Sequence, residues 1–167
     1  MTRKSRTGAS VANNIEVWTS LEGLAELLAT TPIHRFLGFQ IVRFDKAAGT
    51  LSISCPTSGG AERSDGAGQA HGGAIATLID TTATFAACVA AGRSVPTMNL
   101  HVDYLRPAAG PEMTATATIR KQGRTAAIVD IDIVSATKLV AIGRCSLAMA
   151  SGGDFNARSF DHRTRRA

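Results

Sequence analysis

Asp80 has no charged neighbour in sequence. From Ala70 to Gly92 the chain reads AHGGAIATLIDTTATFAACVAAG, and after His71 this aspartate is its one formal charge. Burying an unpaired carboxylate costs several kcal/mol. A helix this apolar therefore either carries Asp80 for chemistry or satisfies it through Thr77, Thr84 or a distant arginine. His71-Gly72-Gly73 opens the same segment. Two glycines let a ligand or backbone approach the first free N–H groups, where the helix dipole is positive. That is a place for an anion or a polarised carbonyl oxygen. The same pair also serves a plain loop-to-helix turn, with His71 as its cap. Gly72 and Asp80 are eight residues apart, about 12 Å along a helix axis. One carbonyl group cannot touch both, so joint action on one substrate needs two chains. Two such helices packed antiparallel would give two equivalent sites per two-fold dimer.

The elements that must position these groups are legible from periodicity. Ile75, Leu78, Ile79, Thr82, Phe85, Ala86 and Val89 recur at helical spacing, which predicts an amphipathic helix over 72–91. Its other faces are Ala, Thr and Cys rather than Lys and Glu, so it is covered on most sides. The face of Ala76, Asp80, Ala83 and Ala87 is small enough to admit another backbone or a ligand. Upstream, Leu21, Leu24, Ala25 and Leu28 predict a helix over 15–30, stopped by Pro32. Alternation of Leu51, Ile53 and Cys55 with serines and threonine predicts a half-buried strand, and 57–70 reads as a loop. After Gly92 four strand segments follow, the last three joined by KQGR and SATK. Consecutive strands with short turns predict an antiparallel meander. The expected fold is α+β: one domain over 15–150, with a central helix on an antiparallel sheet.

Charge and cysteines exclude several classes. The net charge is +5, but Arg3, Lys4 and Arg6 carry +3 of it and residues 154–167 carry +2. The 11 basic and 11 acidic residues between them balance. The basicity belongs to two tails, 1–14 and 151–167, expected to be disordered, so no nucleic-acid partner is expected. Cys55, Cys88 and Cys145 are odd in number, widely spaced and apolar in setting. They fit neither a zinc pattern nor a disulfide framework, and suit a reducing compartment. No N-terminal stretch has the form of a signal peptide. Asp80, four threonines and the dominance of alanine argue against a membrane span over 74–92. A cytoplasmic protein is expected.

With these residues in view, AHGGAIATLID, VPTMNLHVDYLRPA and KQGRTAAIVDIDI resemble the PaaI-type, 4-hydroxybenzoyl-CoA thioesterase-like acyl-CoA thioesterases of the hotdog fold. The resemblance covers about residues 33–149. It implies a long helix wrapped by an antiparallel sheet, and homodimers with composite active sites that pair into homotetramers. It implies hydrolysis of acyl-CoA thioesters, with a medium-chain or aromatic acyl group, without metal or cofactor. Carried over by motif, Asp80 is the nucleophile or the base that activates water, and Gly72 N–H polarises the thioester carbonyl. His71 shapes the turn, next to Gly73. Thr97 holds the attacking water.

The CoA phosphates need cations near a surface mouth. By resemblance these come from the segment Tyr104, Leu105, Arg106, Pro107 and from Lys121, Gln122, Gly123, Arg124, Thr125; without it, Lys121 and Arg124 read as ordinary turn solubility. One position departs from the family pattern. Asp65 stands where related enzymes often carry an asparagine that holds the active-site loop or the carbonyl, and a carboxylate near Asp80 would repel it. Two other functions stay open at this level: a non-catalytic acyl-CoA-binding or sensing module, and a hotdog hydratase or dehydratase. The latter is disfavoured because His71 sits at the turn rather than on the helix body.

Overall fold

The computed structural model describes residues 15–149; the two basic tails lie outside the described residues. A 3-10 turn over Ile15–Trp18 precedes α1 (Leu21–Thr30), whose first turn is capped by Ser20 Oγ accepting from Gly23 N at 3.1 Å. The helix read over 15–30 therefore starts at Leu21, because Ser20 stops it from running further back. Leu24, Leu27 and Leu28 are buried, while Leu21 and Ala25 face outward. Pro32 ends α1 and also opens a second short helix, α2 (Pro32–Leu37), where its missing N–H costs nothing.

Strands β1 (Gln40–Asp45) and β2 (Thr50–Pro56) form a hairpin. The loop 57–70 then leads into α3 (Gly72–Ala91), 20 residues and about 30 Å long. Strands β3 (Thr97–Tyr104), β4 (Glu112–Gln122), β5 (Ala126–Ser135) and β6 (Lys138–Ala148) follow. The six strands make one antiparallel sheet in the order β1-β2-β4-β5-β6-β3. β4, β5 and β6 form the expected meander. β3 does not join it on the β4 side: residues 105–111, LRPAAGP, are too long and proline-rich for a hairpin turn, and β3 pairs with the far side of β6. It is thus an edge strand of the sheet.

α3 packs against β2 through β6. Ile75, Leu78, Ile79, Thr82, Phe85 and Ala86 are buried as periodicity predicts, and by length and composition alone the helix could cross a membrane, yet it is the core of this fold. The small-residue face departs from expectation. Ala83 and Ala87 are fully buried within the chain, leaving Ala76 and Asp80 of that set half-exposed beside Gly73, Thr77 and Thr84. β2 also differs, since Ser52 and Ser54 are buried on its second face and Ser52 Oγ lies 2.9 Å from Thr116 Oγ1 of β4. Contact between α3 and β6 is tight at Gly143, where a Cβ would run into Ile79 Cγ2. Gly143→Ala is expected to destabilise the fold by about 1–3 kcal/mol through overpacking. A lower urea midpoint at unchanged m-value is the measurement.

Candidate active site

Three groups converge halfway along α3. Thr97, the first residue of β3, donates its O–H to Asp80 Oδ1 at 2.8 Å. Thr84, one turn further along α3, lies 2.9 Å from Thr97 Oγ1. Thr97 has one proton to give and Asp80 takes it, so Thr84 must be the donor in the second bond. The chain Thr84 to Thr97 to Asp80 fixes the carboxylate and leaves Oδ2 without a partner among the described residues. Burial, with the Asp80 charge adding to it, pushes the Cys145 thiol of β6 up to about 12, so it stays neutral. The half-buried carboxylate is thus held by threonines, with no arginine or lysine bonded to it among the described residues.

The turn at the start of α3 is built differently. His71 is the N-cap, and its Nδ1 accepts from Gly73 N at 2.9 Å. Its backbone N–H donates to Ala61 O at 2.7 Å, tying the turn back to the first part of the 57–70 loop. His71 O receives Ala74 N and Ile75 N. Gly72 N–H is left as a first-turn donor without a partner among the described residues, at the positive end of a 20-residue helix. Tyr104, the last residue of β3, holds this turn from outside. Its hydroxyl donates to Gly72 O at 2.9 Å and its ring stands against Gly72, where a Cβ would meet it at 3.4 Å. Tyr104→Phe keeps the ring and loses the bond. Turnover is expected to fall about three- to fivefold, with KM unchanged, the effect of one partly solvated hydrogen bond.

The other sequence-selected residues are placed as follows. Asp65 is exposed in the loop closed by the Glu62–Ala70 bridge, and among the described residues it makes no bond to Asp80 or the glycine turn. Leu105, Arg106 and Pro107 are exposed beyond Tyr104, with Arg106 Nη1 donating to Leu139 O at 2.9 Å. Lys121, Gln122, Gly123, Arg124 and Thr125 form the β4–β5 turn at the other end of α3, where Gln122 Nε2 donates to Ala90 O. The structure therefore does not gather the predicted CoA cations at one mouth of one chain. Arg106 shares the Gly72 end, and Lys121 and Arg124 share the Thr97 end, where Met149 N donates to Thr125 O and Ala148 N to Pro96 O. Sequence reading named Thr84 as a direct partner of Asp80, whereas the structure connects the two through Thr97; it missed His34, which reaches Thr81, the residue after Asp80. Thr84 sits one turn after Asp80, the spacing that made it a candidate. His34 on α2 carried no such signal.

A family model described as the thioesterase superfamily matches residues 67–142, from just before the glycine turn into β6. The Escherichia coli acyl-coenzyme A thioesterase PaaI is 33% identical over 100 residues, covering 59% of this chain and 68% of that one. Mouse acyl-coenzyme A thioesterase 13 is 40% identical over 81 residues, 46% of this chain and 58% of its own length. Among solved structures, the E. coli PaaI protein superposes with a TM-score of 0.68 at 27% identity, covering 84% of this chain and 96% of that one. Thioesterase HI1161 of Haemophilus influenzae superposes at 0.69, with 26% identity, over 77% of this chain and 89% of its own. The chain belongs to the PaaI-type branch of the hotdog-fold thioesterase superfamily.

Proposed function

We propose that the protein hydrolyses acyl-CoA thioesters to the free acid and CoA, with a medium-chain or aromatic acyl group, at sites shared between two copies of the chain. The observation that carries this reading is the separation of the two reactive groups. The free Gly72 N–H and the threonine-held Asp80 lie on one helix, about 12 Å apart along its axis. β3 suggests how they meet. It is an edge strand with Thr97 at one end and Tyr104 at the other, roughly 23 Å apart at strand rise. Two copies of β3 pairing antiparallel would set Thr97 of one beside Tyr104 of the other. Asp80 of one copy then faces Gly72 of its partner. The exposed Met98 and Tyr104 of β3, and the half-exposed face of Ala76, Thr77, Asp80 and Thr84 on α3, support this pairing. Association of such dimers into tetramers rests on the family resemblance.

In the proposed reaction, Gly72 N–H of one copy hydrogen-bonds the thioester oxygen. Asp80 of the other takes a proton from water as the water oxygen attacks the carbonyl carbon. The electron pair moves onto the oxygen held by Gly72, and the C–S bond then breaks. The CoA thiolate leaves and recovers the proton from Asp80. Thr97 keeps one acceptor lone pair, to which the attacking water can donate. Direct attack by Asp80 would instead pass through an acyl anhydride; single turnover in 18O-water separates the two, since opening of the anhydride can leave label in the Asp80 carboxylate.

The same antiparallel pairing brings Arg106 of one copy toward the β4–β5 turn of the other, so the CoA phosphates would also be held by two chains. Lys121→Ala with Arg124→Ala is expected to raise KM about tenfold with little change in kcat, by loss of charge-assisted contacts. The difference should shrink as salt rises. A cytoplasmic setting belongs to the same proposal, supported by the three buried free thiols. Release of CoA thiol from a panel of acyl-CoAs tests the reaction. Turnover names the acyl class, while CoA binding without turnover on any thioester would make the chain an acyl-CoA-binding module.

A further inference from the structure

His34 of α2 is half-buried against the middle of α3. Its ring stacks on Phe39 with centroids 5.5 Å apart and planes 21° apart, and meets Phe85 edge-on at 5.9 Å. Nε2 lies 3.2 Å from the hydroxyl of Thr81, the residue after Asp80. Nδ1 is buried and has no hydrogen-bond partner among the described residues. A neutral imidazole in this setting leaves one nitrogen idle, whereas an imidazolium would carry an N–H there with nothing to receive it.

We propose that His34 is a positioning residue for Asp80, holding the Asp80–Thr81 turn of α3 and working in its neutral form. The inference rests on the thioesterase reading above. Thr97 and Thr84 secure the carboxylate from the β3 side, and His34 secures the next residue from the α2 side. The charges around the ring are few. Asp80 acts on it from α3, and burial outweighs that attraction, so the ring ionises below the ordinary histidine value. Arg35 on α2 is turned toward the end of α1, donating to Ala29 O and Thr30 O. Glu22 and Glu26 of α1 are exposed. Phe39 and Phe85 bring no charge, and Cys145 of β6, which feels the Asp80 charge, remains a neutral thiol. Protonation of His34 would set a cation near Asp80 and make its carboxylate a weaker proton acceptor. The ring is neutral above its own pKa, so activity is full there and falls as pH drops through that value.

The test combines kinetics with a titration that needs no turnover. At alkaline pH, His34→Phe is expected to lose about fivefold in kcat by removing the Thr81 bond, and His34→Gln, which can remake it, to recover most of that loss. On the acid side, wild-type kcat/KM should fall with the slope of two ionisations, and the His34→Gln enzyme with the slope of one. By NMR, the His34 ring should titrate at lower pH in Asp80→Asn than in wild type, because the carboxylate that favours the imidazolium is gone. Identical acid limbs in wild type and His34→Gln would overturn the proposal. So would a His34 titration indifferent to Asp80→Asn. A protein with no thioesterase turnover at any pH would refute the reaction instead, and the NMR titration would still report the coupling.

Discussion

Asp80→Ala is expected to lower kcat on the best acyl-CoA by about a thousandfold or more, the scale of losing a positioned base. The loss should fall on kcat rather than KM, because the CoA contacts proposed above, at Arg106 and the β4–β5 turn, lie away from Asp80. The fold should survive. Asp80 is half-exposed and makes one side-chain bond among the described residues, to Thr97, so its removal leaves one hydroxyl seeking an acceptor at a cost of about 1 kcal/mol. Asp80→Asn is the sharper control. It keeps an oxygen for Thr97 and the same volume, yet takes no proton at neutral pH, so it should be nearly as inactive with an unchanged melting temperature. A binding module would behave otherwise, with ligand affinity kept in both variants and no turnover to lose.

Gly72→Pro is expected to lower kcat by about a hundred- to a thousandfold, the measured scale for removing one donor to a developing oxyanion. The position makes this unusually clean. Gly72 is the first helical residue of α3, where proline is favoured because the N–H it lacks has no helical partner. The residue before it, His71, has φ −72° and ψ 139°, the extended conformation that a following proline demands. The helix should form as before, read by circular dichroism. Gly72→Ala separates donor from bulk, since it keeps the N–H and its Cβ meets the Tyr104 ring at an ordinary 3.4 Å. If alanine costs as much as proline, space at the turn matters rather than the N–H.

The main helix and most strands were legible in the sequence because burial imposes a period. The α3 core face from Ile75 to Ala86 and the alternation of Leu51, Ile53 and Cys55 in β2 came from spacing alone. Pairing order was not legible in the same way. β3 and β4 look like neighbours in sequence, and only the folded sheet shows β3 on the outer side of β6. That placement matters to function, since it makes β3 an edge and joins Thr97 to Asp80. Within the site, Asp80 and the glycine turn stood out because charge and backbone freedom are rare in an apolar run. Ala83 and Ala87 read as a face for another backbone or a ligand, and sequence did not show that the chain itself buries them, because a small residue reads alike under a packed strand or a partner. His34 was missed because its role depends on a contact with Thr81, 47 positions away, which no local pattern encodes.

Co-expression of Asp80→Ala chains with Gly72→Pro chains tests the shared site most directly. Each variant alone should be nearly inactive. In a mixed dimer one site joins Asp80 of the second chain to Gly72 of the first and is intact, while the other site is doubly impaired. Random pairing makes half the dimers mixed with one good site of two, so roughly a quarter of wild-type activity should return. Tagged purification of the mixed dimer should raise this to about half. No recovery in a mixed dimer shown to form would place Asp80 and Gly72 in the same site of one chain, or in no common site, and would contradict the shared active site.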